Sequence, residues 1–93
     1  MFLYFKGEYL GEILNVNKEG AWMYGELKAN ENLEKFRRFF IDLTDEDKEF
    51  DETKFNEEWL TDSNWFIIDV HNNKRGIYLP AISLNGDIDF RYR

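Results

Sequence analysis

The chain alternates between hydrophobic and polar residues with a period of two at both ends, and it follows a helical period in its middle. The most strand-like stretch is Trp-Phe-Ile-Ile-Asp-Val at residues 65–70, where five of six residues are aromatic or β-branched. Odd and even positions are both apolar over its first four residues, so both faces are expected to be covered. We therefore predict that residues 65–71 form the central strand of a β-sheet.

The N-terminal third predicts three antiparallel strands. Alternating side chains predict strands at residues 2–5, 8–16 and 21–29. Turn-forming residues between them predict turns at Lys6-Gly7 and at residues 17–20. Gly7 is expected to supply the positive φ of the first turn. Gly11 and Gly25 lie inside strands, where glycine often marks a bulge or a close approach of another backbone.

Trp22 and Tyr24 share one face of the third predicted strand. If helices cover this face, the two rings belong to the core, which is the interpretation we favour. If the face has no helices, the two rings are exposed and mark a binding patch. Both residues are therefore candidate binding residues.

The middle of the chain predicts two helices. The first helix is expected to have Asn30 as its N-cap and to end near Asp42. Leu33, Phe36 and Phe40 form its apolar face. Residues 44–47 have the pattern of a helix start with an acid in the capping-box position. Asp51 is suited to cap the second helix, in which Phe55 and Trp59 stack one turn apart.

The C-terminal third returns to the strand period. Further strands are expected at 77–84 and 87–92, with a loop at 72–76 and a type I′ turn at Asn85-Gly86. Pro80 cannot donate a backbone hydrogen bond, so it marks a bulge or a local lack of pairing. The whole pattern predicts an α+β fold: an antiparallel sheet of about six strands, in the chain order β-β-β-α-α-β-β-β, with two helices packed on one face.

The length and composition narrow the class of protein. A chain of 93 residues corresponds to a single domain over residues 1–93, and it contains no cysteine, which excludes disulfides and suits a reducing compartment. The apolar start ends at Lys6 and is too short for a signal peptide. No stretch approaches the ~18 apolar residues of a membrane span. We therefore expect a cytoplasmic protein with no membrane partner.

The net charge of −7 is concentrated in residues 42–58, which we call the acidic segment. This segment holds nine acids against Lys48 and Lys54, while the remaining acids and bases balance at ten each. Such a segment repels phosphate backbones and attracts cationic partners, although a solvated connection between helices has the same composition. The candidate binding residues are Asp45, Glu46, Asp47, Glu49, Asp51 and Glu52.

Few side chains suit catalysis. His71 is the single histidine, which excludes a histidine-rich metal site. Asp69, His71 and Ser83 have the residue types of a nucleophilic triad, but an acid and a histidine beside a turn usually face solvent. We therefore predict no catalytic residues and no cofactor.

Two further ligand classes are also disfavoured. Asp47, Glu49 and Asp51 have the alternate spacing of a calcium loop, yet Glu52 stands where that loop requires glycine. Residues 90–93 interleave arginines with aromatic residues, but the alternation places the two types on opposite faces of a strand. Together with the negative charge, this predicts no metal and no nucleic-acid partner.

Three short segments stand out along the first part of the chain: Gly11-Glu12-Ile13, the stretch Ala-Trp-Met-Tyr-Gly-Glu-Leu at residues 21–27, and Phe36 with Phe39-Phe40. Their arrangement resembles small bacterial proteins of unassigned function. Some similar small acidic α+β proteins serve as immunity partners of toxins. The resemblance extends from the start of the chain to Phe40 and includes no catalytic motif. It implies a role as a protein partner and transfers no functional residues.

The sequence predicts a non-catalytic protein-binding module, with an immunity-like partner as one form, whose acidic segment meets a basic protein surface. One alternative is a small-molecule binder or enzyme with a pocket between sheet and helices, lined by Trp22, Tyr24 and Trp65. A second alternative is a homodimer through an exposed edge strand, most simply Asp87 to Tyr92.

Overall fold

A computed structural model describes residues Met1–Arg93, which form one antiparallel sheet, one α-helix and several short helical turns. The strands are β1 (Phe2–Phe5), β2 (Glu8–Glu19), β3 (Trp22–Ala29), β4 (Trp65–Ile68), β5 (Lys74–Gly76), β6 (Ala81–Ile82) and β7 (Asp87–Phe90). The helix α1 spans Arg37–Thr44, and α2 is the single turn Glu57–Leu60. The 3-10 turns are Glu31–Phe36, Glu52–Lys54 and Asp62–Asn64. The predicted α+β class, with helical residues between two groups of antiparallel strands, is confirmed.

The sheet curls until its two sides meet. Its strand order is β5-β4-β1-β2-β3-β7-β6. Beyond the ends of β5 and β7, Ile77 pairs with Tyr92 in a separate antiparallel bridge. The N–H of Tyr78 donates to the carbonyl of Arg91 at 3.0 Å, and the N–H of Arg93 donates to the carbonyl of Gly76 at 3.1 Å. These bonds form a seam that joins the β5 side of the sheet to the β7 side.

Two predictions about strand positions are wrong. β4 lies next to the β5 edge of the sheet and is not central. Its outer face carries Phe66, and the Lys74 ammonium lies 4.0 Å from the centre of that ring. β7, with Asp87 to Phe90, lies between β3 and β6 and is therefore not an edge. The true edges, β5 and β6, are only three and two residues long. A homodimer through the strand from Asp87 to Tyr92 is therefore excluded as an edge pairing.

The turns lie near their predicted places, but their conformations differ. In the first turn the positive φ of 53° belongs to Lys6 and not to Gly7. β2 continues to Glu19, because an irregularity between Leu14 and Asn17 keeps the strand paired beyond the predicted turn. In the last hairpin only Gly86 has a positive φ, of 91°, so the turn is not of type I′. As Pro80 predicted, no strand includes residues 78–80.

The first predicted helix is present and begins with a 3-10 turn. The Asn30 side chain accepts a hydrogen bond from the N–H of Asn32 at 3.0 Å, as expected of an N-cap. Phe36 and Phe40 are buried together with Phe39, while Leu33 is only half-buried. None of the helices has the length and apolar character needed to cross a membrane.

The second predicted helix is replaced by short turns. Asp51 caps only the 3-10 turn Glu52–Lys54, and Phe55 then adopts an extended conformation with φ −126°. This break allows the Phe55 ring to stack on the Phe50 ring, with centres 5.6 Å apart and planes at 2°. Residues 44–47 form no helix start, since α1 ends at Thr44. The aromatic contacts have overridden the helical preference of this stretch.

The core is an aromatic cluster between the sheet and the helical residues. Trp65 is fully buried, and its ring centre lies 5.0 Å from that of Phe5, 5.5 Å from that of Phe36 and 5.7 Å from that of Phe40. Its indole N–H donates to the carbonyl of Trp59 at 2.9 Å, which satisfies the one polar group of the ring. Trp65 therefore connects the sheet, α1 and α2.

A bulge near Gly11 lets one even-numbered and one odd-numbered residue of β2 point into the core. Leu3 pairs with Gly11 and Tyr4 pairs with Tyr9, which leaves Leu10 without a partner between them. Leu10 and Ile13 are consequently both buried, although strict alternation would place them on opposite faces. Gly11 has a φ of 156°, and a Cβ there would lie 2.6 Å from the carbonyl oxygen of Lys28.

We predict that Gly11→Ala lowers the free energy of unfolding by about 2 kcal/mol or more, because the new methyl group clashes with the backbone of β3. Urea denaturation followed by tryptophan fluorescence measures this loss. Gly7→Ala is the matched control, since a Cβ at Gly7 meets nothing within 4 Å. Equal stability of the two variants would contradict the close packing of β2 against β3.

Candidate functional site

The acidic segment is a largely irregular, exposed connection between α1 and β4. Its exposed acids are Asp45, Glu46, Asp47, Glu49, Asp51, Glu52, Glu57 and Glu58. Of these, Glu58 forms an ion pair with Lys6 at the turn between β1 and β2. The segment therefore presents a dense set of carboxylates to solvent on one part of the molecule.

Asp42 is the exception, because it is a structural residue at the end of α1. Only 5% of its surface is exposed, and its carboxylate lies 3.2 Å from Arg38 Nε and 3.2 Å from Lys48 Nζ. Lys48 is one of two bases in the segment and is engaged in this contact. The exposed carboxylates are consequently left with little cationic compensation from their own segment.

Aromatic contacts anchor the segment to the core. The ring centre of Phe39 on α1 lies 5.8 Å from that of Phe50, 5.3 Å from that of Phe55 and 5.6 Å from that of Trp59. Three side chains spaced along the connection thus pack on one buried ring. This packing fixes the path of the backbone that carries the carboxylates, although the connection contains no long helix.

Two of the candidate acids shape the local backbone. The Asp45 carboxylate accepts a hydrogen bond from the N–H of Asp47 at 3.0 Å. The Asp51 carboxylate accepts from the hydroxyl of Thr53 at 2.6 Å and from the N–H of Thr53 at 3.1 Å. These two bonds, the hydroxyl first, lower the pKa of Asp51 below its ordinary value. Asp45 and Asp51 therefore hold turns of the connection.

The other four candidate acids do not stabilise the backbone in this way. Their side chains form no hydrogen bond and no ion pair within the protein; they are Glu46, Asp47, Glu49 and Glu52. We call them the free carboxylates. Sequence reasoning identified this set by its charge density and expected Asp51 to be a cap, but it did not separate Asp45 from these four.

Trp22 and Tyr24 are not part of the core. Their exposed fractions are 43% and 36%, because β3 turns Met23 and Leu27 inward and carries the two rings on its outer face. The predicted pocket with Trp65 is therefore wrong, since Trp65 is fully buried on the inner side of the sheet. The alternative prediction of an exposed aromatic patch on the face without helices describes the observed position.

The neighbours of these rings come from distant parts of the chain. The guanidinium of Arg91 lies 5.3 Å from the Trp22 ring centre and 4.5 Å from the ring centre of Tyr78. Asp89 pairs with Tyr24 across the strands, and burial, followed by the charge of Asp87, raises the pKa of Asp89. The Arg91 contacts were not predicted, because Arg91 meets Trp22 through the pairing of β3 with β7 and meets Tyr78 at the seam.

A cleft does lie between the helix and the sheet, but with other lining residues than predicted. It holds about 220 Å³ between α1, β3 and the β6–β7 hairpin. Its apolar lining consists of Leu27, Ala29, Leu33, Phe40, Ile41, Ile82 and Leu84. Glu34 and Arg37 lie at the cleft and form an ion pair with each other at 3.4 Å. The cleft offers apolar contact and one charge pair, with no pair of carboxylates arranged for acid–base chemistry.

Asp69 has a structural role that competes with the triad interpretation. Its carboxylate accepts from the N–H of His71 at 2.8 Å and from the N–H of Asn73 at 3.0 Å, so it holds the turn before β5. The bond from Asn73 is the main cause of a lowered pKa at Asp69. The Ser83 hydroxyl donates to the Asn85 side chain within its own hairpin. No group of three acids, histidines or cysteines in the protein converges to hold a metal ion.

The chain was compared with known proteins at three levels. No protein-family model matches it, and no curated protein matches it. No solved structure matches its fold. The similarity to small bacterial proteins, some of them immunity partners, therefore stays a prediction from the residues quoted above.

We predict that Asp42→Asn lowers the free energy of unfolding by about 1–2 kcal/mol, because a neutral amide leaves Arg38 and Lys48 without their shared carboxylate. Thermal and urea denaturation measure the change. Glu46→Gln is the control, since this exposed carboxylate has no internal partner and its loss is expected to change stability by less than about 0.5 kcal/mol. Similar losses in both variants would contradict the division between structural and free acids.

We also predict that Thr53→Val raises the pKa of Asp51 towards its ordinary value, because the charged carboxylate loses its strongest donor. A lowered pKa favours folding above the ordinary pKa, and this contribution is lost as the pH falls through the folded value. Carbon-detected NMR of the side-chain carboxyl during a pH titration measures the pKa. In the same sample the lowered pKa of Asp69 is expected to be unchanged, and an unchanged Asp51 pKa would exclude the hydroxyl as its cause.

Proposed function

We propose that this protein is a non-catalytic binding module that engages a basic surface of a protein partner through the acidic segment. The observation that supports this best is the set of free carboxylates, Glu46, Asp47, Glu49 and Glu52. They are exposed, they have no internal partner, and the aromatic contacts around Phe39 hold the backbone that carries them. An array of this kind is ready to meet cations without first breaking bonds of its own.

The charge of the segment has two expected effects on binding. Opposite charges raise the rate of association by steering the partner before contact, and this rate falls as salt screens the field. The same charge repels phosphate backbones, so a protein surface suits the segment better than nucleic acid. A toxin with a basic functional surface is one partner of the required chemistry, which would make the module immunity-like.

The cleft beside α1 supports a second, small-molecule function less well. Its volume of about 220 Å³ and its apolar lining suit a small hydrophobic ligand, and Arg37 offers a cation at the site. Arg37, however, is already engaged with Glu34. A ligand there would have to compete with this ion pair for its polar contact.

We predict that a partner captured from cell extract depends on the free carboxylates. The segment variant Glu46→Gln/Glu49→Gln/Glu52→Gln is expected to bind the captured protein roughly tenfold more weakly than wild type, since three exposed charges at about 0.5 kcal/mol each contribute about 1.5 kcal/mol. The control variant Glu12→Gln/Glu19→Gln/Glu31→Gln removes the same number of glutamates elsewhere, so both variants have the same net charge.

Crosslinked capture with quantitative mass spectrometry identifies the partner, and titration of the purified partner at low and high salt gives the affinities. The proposal requires that wild type and control bind alike, that the segment variant binds more weakly, and that salt reduces this difference. Equal capture by segment and control variants would reject the proposal, as would the recovery of no partner at either salt concentration.

A further inference from the structure

The outer face of the sheet carries cations that no acid neutralises. Lys74, Arg91 and Arg93 lie along the seam where the β5 side meets the β7 side, and all three are exposed. None of them takes part in the ion pairs of the protein, which use Lys6, Lys35, Arg37, Arg38 and Lys48. We call these three residues, with the rings beside them, the cationic strip.

Aromatic rings hold the strip in place. Arg91 lies between the rings of Tyr78 and Trp22, at 4.5 Å and 5.3 Å from their centres. The Phe66 ring has the Lys74 ammonium 4.0 Å and the Arg93 guanidinium 5.4 Å from its centre. These contacts fix the cations over apolar surface while leaving N–H groups free for an anionic partner.

Arg93 is positioned further by the backbone of the seam. Its Nε donates to the carbonyl of Ile77 at 2.8 Å, and its Nη2 donates to the carbonyl of Trp65 at 3.2 Å. Gly76 leaves the space for this side chain, since a Cβ there would lie 2.3 Å from a guanidinium nitrogen of Arg93. The strip is therefore a fixed arrangement and not a set of mobile surface side chains.

We infer that the cationic strip of one copy binds the acidic segment of a second copy. The inference rests on the proposed function, because it names this chain as a partner of the acidic segment. The strip is a basic surface built from arginine, tryptophan and tyrosine, the residue types that dominate binding energy at protein interfaces. The free carboxylates are the complementary surface, and within one molecule no ion pair joins the two.

Charge and geometry favour this occupant over a nucleic acid. Single-stranded nucleic acids bind by stacking bases on open aromatic faces, but the rings of Phe66, Tyr78 and Trp22 already have cations over them. A second copy presents carboxylates, which planar guanidinium groups bind through paired hydrogen bonds.

The contact joins two different surfaces, so it either repeats head to tail or occurs twice in a symmetric dimer. In a head-to-tail pair one copy keeps an unused segment and the other keeps an unused strip, whereas a ring or a symmetric dimer leaves neither unused. Because the attraction is between exposed charges, the association is expected to be weak and to fall steeply with salt. Both properties are measurable on the purified protein alone.

Sedimentation velocity over a wide concentration range, at low and high salt, tests the inference. The strip variant is Lys74→Gln/Arg91→Gln, and the matched control is Lys18→Gln/Lys28→Gln, which removes two other exposed cations without ion pairs. Wild type and this control are expected to associate alike at low salt. The strip variant and the segment variant are each expected to associate at least about tenfold more weakly. Circular dichroism melts establish that each variant is folded.

An equimolar mixture of strip variant and segment variant is the decisive sample. The strip variant retains an intact acidic segment and the segment variant retains an intact strip, so the mixture is expected to form a heterodimer that neither variant forms alone. A wild-type protein that stays monomeric at low salt, equal weakening in the lysine control, or a mixture that stays monomeric would each overturn the inference.

The outcomes separate this inference from the proposed function. If partner capture depends on the free carboxylates while the purified protein stays monomeric, the inference fails and the proposed function stands. If capture is equal for segment and control variants, the proposed function fails whatever the sedimentation result.

Discussion

The burial of Trp65 among phenylalanine rings is the interaction on which the rest of the structure depends. The indole packs against Phe5 of the sheet and Phe36 of the helical region, and its N–H is satisfied by the carbonyl of Trp59. A small domain buries a limited fraction of its surface, so large rings provide most of its apolar contact area. The sheet, α1 and the acidic segment are held together through this single cluster.

Local patterns predicted much of the fold. The strand alternation, the Asn30 cap and the helical spacing of Phe36 and Phe40 all depend on residues close in sequence, and the structure contains each of them. The length of the second helix was not predictable, because the stacking of Phe55 on Phe50 is a tertiary contact that breaks the helix. Tertiary packing often overrides local preference in this way.

Features that depend on pairing between distant parts of the chain could not be predicted from the sequence. β4 pairs with β1, which is far from it in the chain, so strand order could not be read from alternation alone. The exposure of Trp22 depends on which face the helices cover, and Arg91 reaches that ring because β7 pairs with β3. The charge of the acidic segment and the capping role of Asp51 were evident from the sequence, whereas the hydrogen bond that Asp45 accepts from the N–H of Asp47 was not.

The pairing of Ile77 with Tyr92 also constrains how a newly made chain reaches its final form. β1 finds its partner β4 only after Trp65 to Ile68 have been translated. The seam forms only after residues 91–93 have been translated as well. Until that moment the aromatic inner surface has no complete enclosure, and such non-local topologies fold slowly. In the nascent protein those rings therefore stay exposed until the residues that enclose them have been made.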